Sequence, residues 1–316
     1  MIKFVDVPAS SEAEQIEQLL QLTLEKQRKS YKAGTVARRD VHGKSLGTVD
    51  VAFHVHGNIP ESVKVGLFAK PESYDGVLRF SNGAFGADAF DFLPNIRGSA
   101  LKLFGVPGQK ALLGEENSTE HDFLMANDRG FFMQSLDQYL LLSQSKMREL
   151  VLNHPGVPLR ILRAMKIVKN PLFTDYFSQV PYQYGDYACH YFMVADEHAP
   201  FYSLPNAFDR HYLRHGVANV LSKRSTKFQF GVQFQRAGES IADSTKVWGG
   251  KFVTLATVEV TRRSKPLLES DGEGLSFNPF RVLPEHQPLG WVGRTRRAVY
   301  AADFAWRKQM NEANGN

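Results

Sequence analysis

Arg296 and Tyr300 stand four residues apart near the end of the chain, in a stretch of helical character, so their side chains share one helix face. A guanidinium beside a phenol favours the phenolate, electrostatically and by hydrogen bonding. Phenolate is a hard anionic ligand that stabilises ferric over ferrous iron, and tyrosine serves as an axial ligand in some haem proteins. Near the start, His42 closes the run Arg39-Asp-Val-His42. Histidine moves protons near neutral pH, and one so placed could take a proton from one peroxide oxygen and give it to the other. Together the two segments could serve opposite faces of a haem. Singly, each has a plainer reading: Tyr300, beside Val299 and near Phe304, as a core tyrosine whose hydroxyl meets an arginine, and His42 as one of ten ordinary histidines.

The elements that would position these residues follow from periodicity. Ser11-Glu-Ala-Glu14 reads as a capping box opening a helix over 11–30, with Ile16, Leu19, Leu20 and Leu24 as its apolar stripe. That stripe fits packing on the domain, or a membrane-surface or dimer-arm role. From Thr48 the period changes: Val49, Val51, Phe53 and Val55 alternate with Asp50, Ala52, His54 and His56, the pattern of a half-buried strand. Strand-like runs at 64–69, 76–81, 99–106 and 122–127 are separated by Gly, Pro and Asp turns, which suggests an antiparallel meander. Residues 135–146 and 206–222 read as helices, 227–235 and 251–262 as long strands. A Pro/Gly-rich connector at 276–290 leads to a last helix over 292–310 and a frayed tail at 312–316. Strands in the middle and helices at both ends predict an α+β fold built on an antiparallel β-barrel, with one domain over 1–316.

Composition narrows the functions. The 316 residues are 43% hydrophobic with 23 Phe, enough for a large core or a bulky apolar pocket. No run approaches the roughly 18 apolar residues of a membrane span, so stable membrane insertion is not expected. The first residues, Met1-Ile-Lys-Phe, show no secretion-signal pattern, which makes the cytoplasm the expected location. Cys189 is the one cysteine, ruling out an internal disulfide and a Cys-cluster metal site. Net charge is +5 and dispersed. The densest cluster, Arg294, Arg296 and Arg297, reads as a solvated helix face or a phosphate contact. No zinc-ligand spacing or RNA-binding aromatic signature accompanies it, and nucleic acid is excluded as a partner.

The segments lying between His42 and Tyr300 carry a resemblance. Arg39-Asp-Val-His42-Gly-Lys-Ser-Leu-Gly47 resembles the distal-histidine segment of haem catalases. Leu78-Arg-Phe-Ser81 and Asn95-Ile-Arg-Gly-Ser-Ala-Leu-Lys-Leu-Phe104 look like their next two strands. His121-Asp-Phe-Leu-Met-Ala-Asn-Asp-Arg-Gly-Phe-Phe132 is similar to the segment holding their distal asparagine, and Phe277-Asn-Pro279 with Arg296-x-x-x-Tyr300 to the region of the proximal tyrosine. The five segments run in the family's order over about residues 35 to 302. The chain is on this ground identified as a small member of the catalase superfamily, which also holds the catalase-related allene oxide synthases and hydroperoxide lyases.

The resemblance implies a haem b cofactor. Tyr300 would be its axial iron ligand and Arg296 the partner of the phenolate; His42 would be the distal acid–base, held by Ser81. Arg39 and Arg79 would meet the propionates, a charge-assisted pairing. Phe131, Phe132 and Tyr139 would neighbour the haem, though each also suits an ordinary core. It further implies reduction of hydrogen peroxide or organic hydroperoxides through an oxoferryl state, with a small-molecule hydroperoxide as substrate and a homodimer or higher homo-oligomer as the assembly.

Three departures qualify this. Aligning Phe131-Phe132 without a gap puts Ala126 where catalases carry the distal asparagine, with Asn127 one place later; either Asn127 is shifted in as a catalytic amide or the site lacks it. Gly83 stands near where catalases place a bulky valine, implying a roomier pocket. The chain is also shorter than typical catalases, which implies a wider access path. Bulky organic hydroperoxides are therefore expected substrates, and a haem lyase, dehydratase or synthase acting on fatty-acid hydroperoxides is the alternative. A non-enzymatic haem or lipid-binding module is the third reading. Val41, where the allene oxide synthases carry Thr, leans toward peroxidase chemistry.

Overall fold

Alternation of apolar and polar residues sets the first strand, β1 (Lys44–Val55), and a chain of antiparallel neighbours grows from it. The computed structural model describes residues 2–32, 34, 35, 37, 39, 42–83, 89–199, 208–268 and 270–313. Val41, the start of the 206–222 segment and the end of the 312–316 tail lie outside the described residues.

Strands β2 (Ser73–Asn82), β3 (Arg97–Leu103), β4 (His121–Ala126) and β5 (Tyr176–Phe177) continue from β1 as one meander. A second meander runs through β6 (Tyr182–Tyr184), β7 (Tyr187–Ala195), β8 (Thr226–Phe234) and β9 (Phe252–Val260). β9 pairs back onto β1, and β5 pairs with both β4 and β7, so the ring closes as an eight-stranded barrel with β6 added beside β7. A barrel of eight strands has just enough interior for side chains. Here Phe53, Phe123, Tyr191 and Phe230 fill it, with ring centroids 4.8 to 5.6 Å apart along Phe53–Phe230, Phe123–Phe230, Phe123–Tyr191 and Tyr191–Phe230. Burying each such ring stabilises the fold by about 1.5–3 kcal/mol.

The predicted strand at 64–69 is instead two 3-10 turns, Glu61–Val63 and Gly66–Phe68. Gly66 turns left-handed at φ 51°, and the Leu67 amide donates to His286 Nε2 rather than to a neighbouring strand. The predicted helix at 135–146 is α2 (Leu136–Ser143); between it and the predicted helix at 206–222 the sequence reading left a gap that the structure fills with α3 (Met147–Asn153), α4 (Val157–Ala164) and β5 to β7. β7 escaped because nearly every residue in it is buried, which erases the period of two.

Helix α1 (Glu12–Ser30), α5 (Tyr212–Leu221) and the long α6 (Gly290–Ala313) flank the barrel. The capping box does not form: the Ser11 side chain makes no cap bond. Glu12 turns instead to Arg294, which also meets Asp6 at 2.6 Å and so clamps α6 to the N-terminal segment. With Arg296 over the Phe131 ring, Arg297 over Phe280 and Arg294 on Asp6 and Glu12, the three half-buried arginines point three ways and do not form one patch.

Candidate functional site between the barrel and helix α6

Strand register builds one wall. Ser81 faces Gly98 and Gly98 faces Ala126 across β2, β3 and β4; two residues along, Arg79, Ala100 and Leu124 form the next row. Side chains two apart share a face, so these six residues present one surface on the barrel's outside. Helix α6 builds the opposite wall with Val292, Thr295, Arg296, Val299, Tyr300, Asp303 and Arg307, one stripe at helical spacing. Phe131, Phe132, Tyr139 and Trp291 close one end as an aromatic cluster, and Leu19 and Thr23 of α1 contribute at the side. The cavity, partly open to solvent, measures about 270 Å³.

His42 enters just before β1 at φ 58°, a left-handed conformation that costs a non-glycine residue about 1 kcal/mol or more. Two contacts hold it. Arg79 donates to the His42 carbonyl at 3.0 Å, and Nδ1 of the ring lies 3.0 Å from Ser81 Oγ. The imidazole lies where a side chain on residue 98 would be: a Cβ on Gly98 would come within 2.4 Å of Nδ1 and 2.8 Å of Ser81 Oγ. A Cβ on Gly83 would lie 3.0 Å from the Ile96 carbonyl and 3.3 Å from the same ring, so a side chain there would crowd both. The ring keeps an edge to the cavity, but protein encloses its other sides. Burial pushes its pKa down to about 3, helped by the charges of Arg79, Arg296 and Arg39. It is therefore a neutral imidazole at working pH; with Nδ1 held by Ser81, Nε2 is left for proton transfer.

The cavity is electropositive. Arg39, Arg79, Arg296 and Arg307 line it, against Asp303 on the lining and Glu273 behind. Arg39 and Arg79 share Glu273, at 3.0 and 3.4 Å, and Arg39 also donates to the carbonyls of Gly272 and Leu275. Burial, followed by the nearby charge of Arg79, lowers the Arg39 pKa to about 9, and burial lowers that of Arg79 too. Cations held this way are stabilised by an incoming anion. Three buried polar atoms of lining residues, Arg79 Nε, Ser99 Oγ and Thr295 Oγ1, have no partner.

Of the residues singled out from sequence, Arg39, His42, Arg79, Ser81, Phe131, Phe132, Tyr139, Arg296 and Tyr300 all reach this cavity. Asn127, expected either to be shifted in as a catalytic amide or to be absent from the site, is not on the lining. Ala126 takes the place on the wall, while Asn127, one residue on, accepts a bond from the Arg97 amide at 2.8 Å. Alternation along a strand forbids both from facing the same side. Sequence reasoning missed Gly98, Trp291, Thr295, Asp303, Arg307 and Glu273. Asp303 and Arg307 were findable, three and seven residues beyond Tyr300 on the same stripe; Glu273 lies in an irregular connector that gives no spacing signal.

The residues fit a haem. A slot between a β-wall of small side chains and a helix, with an aromatic end, suits a flat apolar macrocycle, and the buried arginines suit its two carboxylates. Among the described residues no cluster of three or more His, Cys, Asp or Glu could hold a bare metal ion. A metal held here by Tyr300 alone would have to bring its other donors with it.

No family model matches the chain, and no curated protein matches it. Solved structures do. A bacterial catalase aligns with a TM-score of 0.66 at 15% identity, over 96% of this chain and 61% of that one. A fungal catalase gives 0.65 at 12%, over 92% and 61%. Catalase A from Saccharomyces cerevisiae gives 0.66 at 13%, over 98% and 67%. The fold is thus the catalase fold, and the chain spans about three fifths of the length of the first two of these structures.

Proposed function

We propose that this chain is a haem-dependent hydroperoxidase of the catalase/peroxidase type, acting on hydrogen peroxide and organic hydroperoxides, with the whole chain as one haem-binding domain. The observation that carries the reading is that His42 and Tyr300, 258 positions apart in sequence, line one cavity from opposite walls. Tyr300 would bind the iron of haem b, with Arg296 one turn away on the same helix face. Arg39, Arg79 and Arg307 would neutralise its carboxylates, and Phe131, Phe132 and Tyr139 would pack on its rim. Bound there, the haem supplies the redox chemistry that splits an O–O bond.

The protein's own part is proton handling. Neutral His42 takes the proton from the hydroperoxide oxygen nearer the haem and returns it to the departing oxygen, which leaves as water or an alcohol. Ser81 holds the ring and Arg79 the backbone carbonyl behind it, so that the imidazole need not move during transfer. Ala126 in place of an amide removes one hydrogen-bonding group from that wall, and Ala100 beside it is small. This favours organic hydroperoxides over hydrogen peroxide, and it is also what favours the second reading, a haem lyase or synthase on fatty-acid hydroperoxides.

The test is to load the chain with haem and record its ferric spectrum. Oxygen release from hydrogen peroxide is then compared with consumption of an organic hydroperoxide in the presence of an electron donor. Tyr300→Phe should weaken haem binding by tenfold or more, to about the measure of a lost ligand second shell; a fully loaded, fully active variant sinks the ligand assignment. Consumption of the hydroperoxide without oxidation of any donor moves the conclusion to the lyase reading.

A further inference from the structure

We propose that the α3–α4 hairpin docks this protein on an anionic lipid surface, beside the cavity. Helix α4 is amphipathic: Val157 and Ala164 are buried, while Leu159 and Leu162, three apart on the other side, are 61% and 68% exposed. On α3, Leu150 is buried, while Met147, Val151 and Leu152 face out, the last 70% exposed. Ile167 is exposed just beyond α4, and the bridge Asn95↔Lys166 sets the segment with exposed Leu93 alongside it. Single exposed leucines are ordinary on any protein, but a run of them on one hairpin marks a contact surface.

Charge selects the occupant. Between residues 146 and 169 the chain holds Lys146, Arg148, Arg160, Arg163, Lys166 and Lys169 against one acid, Glu149. Lys146, Arg148, Arg163 and Lys166 are exposed beside the leucines. Apolar side chains rimmed by Lys and Arg on a short amphipathic helix are the pattern of a segment lying in the headgroup region. A second copy docked through this face would set like charges against each other. Among the described residues no helix is long and apolar enough to cross a membrane, and this hairpin does not need to.

The placement links the surface to the site. Arg160 of α4 donates to the Phe132 carbonyl at 3.1 Å and to Gln138, and Lys166 donates to the Asn127 carbonyl at 3.0 Å. The hairpin is thereby fastened to the segments bearing Phe132, Ala126 and Ile96, all on the cavity lining. The inference deepens the hydroperoxidase reading and rests on it for one point only: the substrate met at such a surface is a lipid hydroperoxide.

The experiment is co-sedimentation of the haem-loaded full chain with phosphatidylcholine vesicles, with and without phosphatidylglycerol, at low and high salt. Binding is expected only with the anionic lipid, and weakened by salt. Arg163→Gln should bind about fivefold more weakly, and the double variant Leu159→Ser, Leu162→Ser more than about tenfold. That double variant should still consume a water-soluble organic hydroperoxide at the normal rate but act more slowly on hydroperoxide held in vesicles. Absence of vesicle binding, equal binding to neutral vesicles, or a dimer in light scattering that the double variant dissolves would overturn the proposal. Vesicle binding by a chain that turns over neither hydroperoxide leaves the docking in place and removes the proposed activity.

Discussion

Two histidine-bearing regions of this molecule share chemistry on paper and differ in one physical respect. In the cavity, His42 meets Ser81. At one end of the barrel interior, His286 meets Tyr191 at 2.9 Å and accepts from Leu67, with His121, Tyr184 and Cys189 also buried nearby. Burial drives His286 to about 3, as it does His42, and His121 well below its usual range. A perturbed pKa therefore does not separate them, though such perturbation is a common flag for function. Room separates them. His286 stacks edge-on to Phe68 and Tyr184 and closes the barrel end, whereas His42 sits over a glycine and keeps an edge to open space.

The sharpest test of that contrast is a pair of variants. His42→Ala should keep haem and lose about 10²–10⁴-fold in hydroperoxide turnover, the worth of a general acid–base. His286→Phe should destabilise the fold yet leave turnover of the folded fraction within about twofold; equal losses in both would erase the distinction. Next is Gly98→Val, whose side chain must displace the His42 ring. Turnover is expected to fall about 100-fold through misplacement, with circular dichroism unchanged, and a wild-type rate would show that the ring need not lie there.

Acid stability tests what the two regions share. In each buried histidine the folded state disfavours the proton, so the unfolded chain binds more protons below about pH 6.5. Stability is then full above that pH and falls as the pH drops toward 3. Urea midpoints measured at pH 7, 5 and 4 should decline, and less steeply in His286→Phe; an unchanged slope would mean that His286 does not titrate between the two states. The smallest effect belongs to Ser81→Ala, which should cost about 1 kcal/mol of stability and up to about tenfold in turnover.

The sequence carried much of the site because its chemistry is locally periodic. Arg296 and Tyr300 lie on one face by helix geometry alone, and Asp303 and Arg307 extend the same stripe. β1, β2, β3, β4, β8 and β9 were legible where one face is wet or turns bound a short apolar run. β7 and the Gly66–Phe68 turn were not, because full burial and a left-handed glycine leave no pattern to read. Glu273 and Gly98 were invisible for another reason: each matters through a neighbour far off in the chain.

By itself, then, the sequence determined which side chains could bind iron, move a proton or meet a carboxylate, since those capacities belong to residue types at helical or strand spacing. The tertiary structure decided which of them share a space. Closure of the barrel set the register Ser81–Gly98–Ala126, and that register put a glycine under His42 and turned Asn127 away. Side-chain direction in a sheet alternates with every residue, so one step of register chooses between an amide and a methyl group at the wall, and pairing across strands is not written in any one of them.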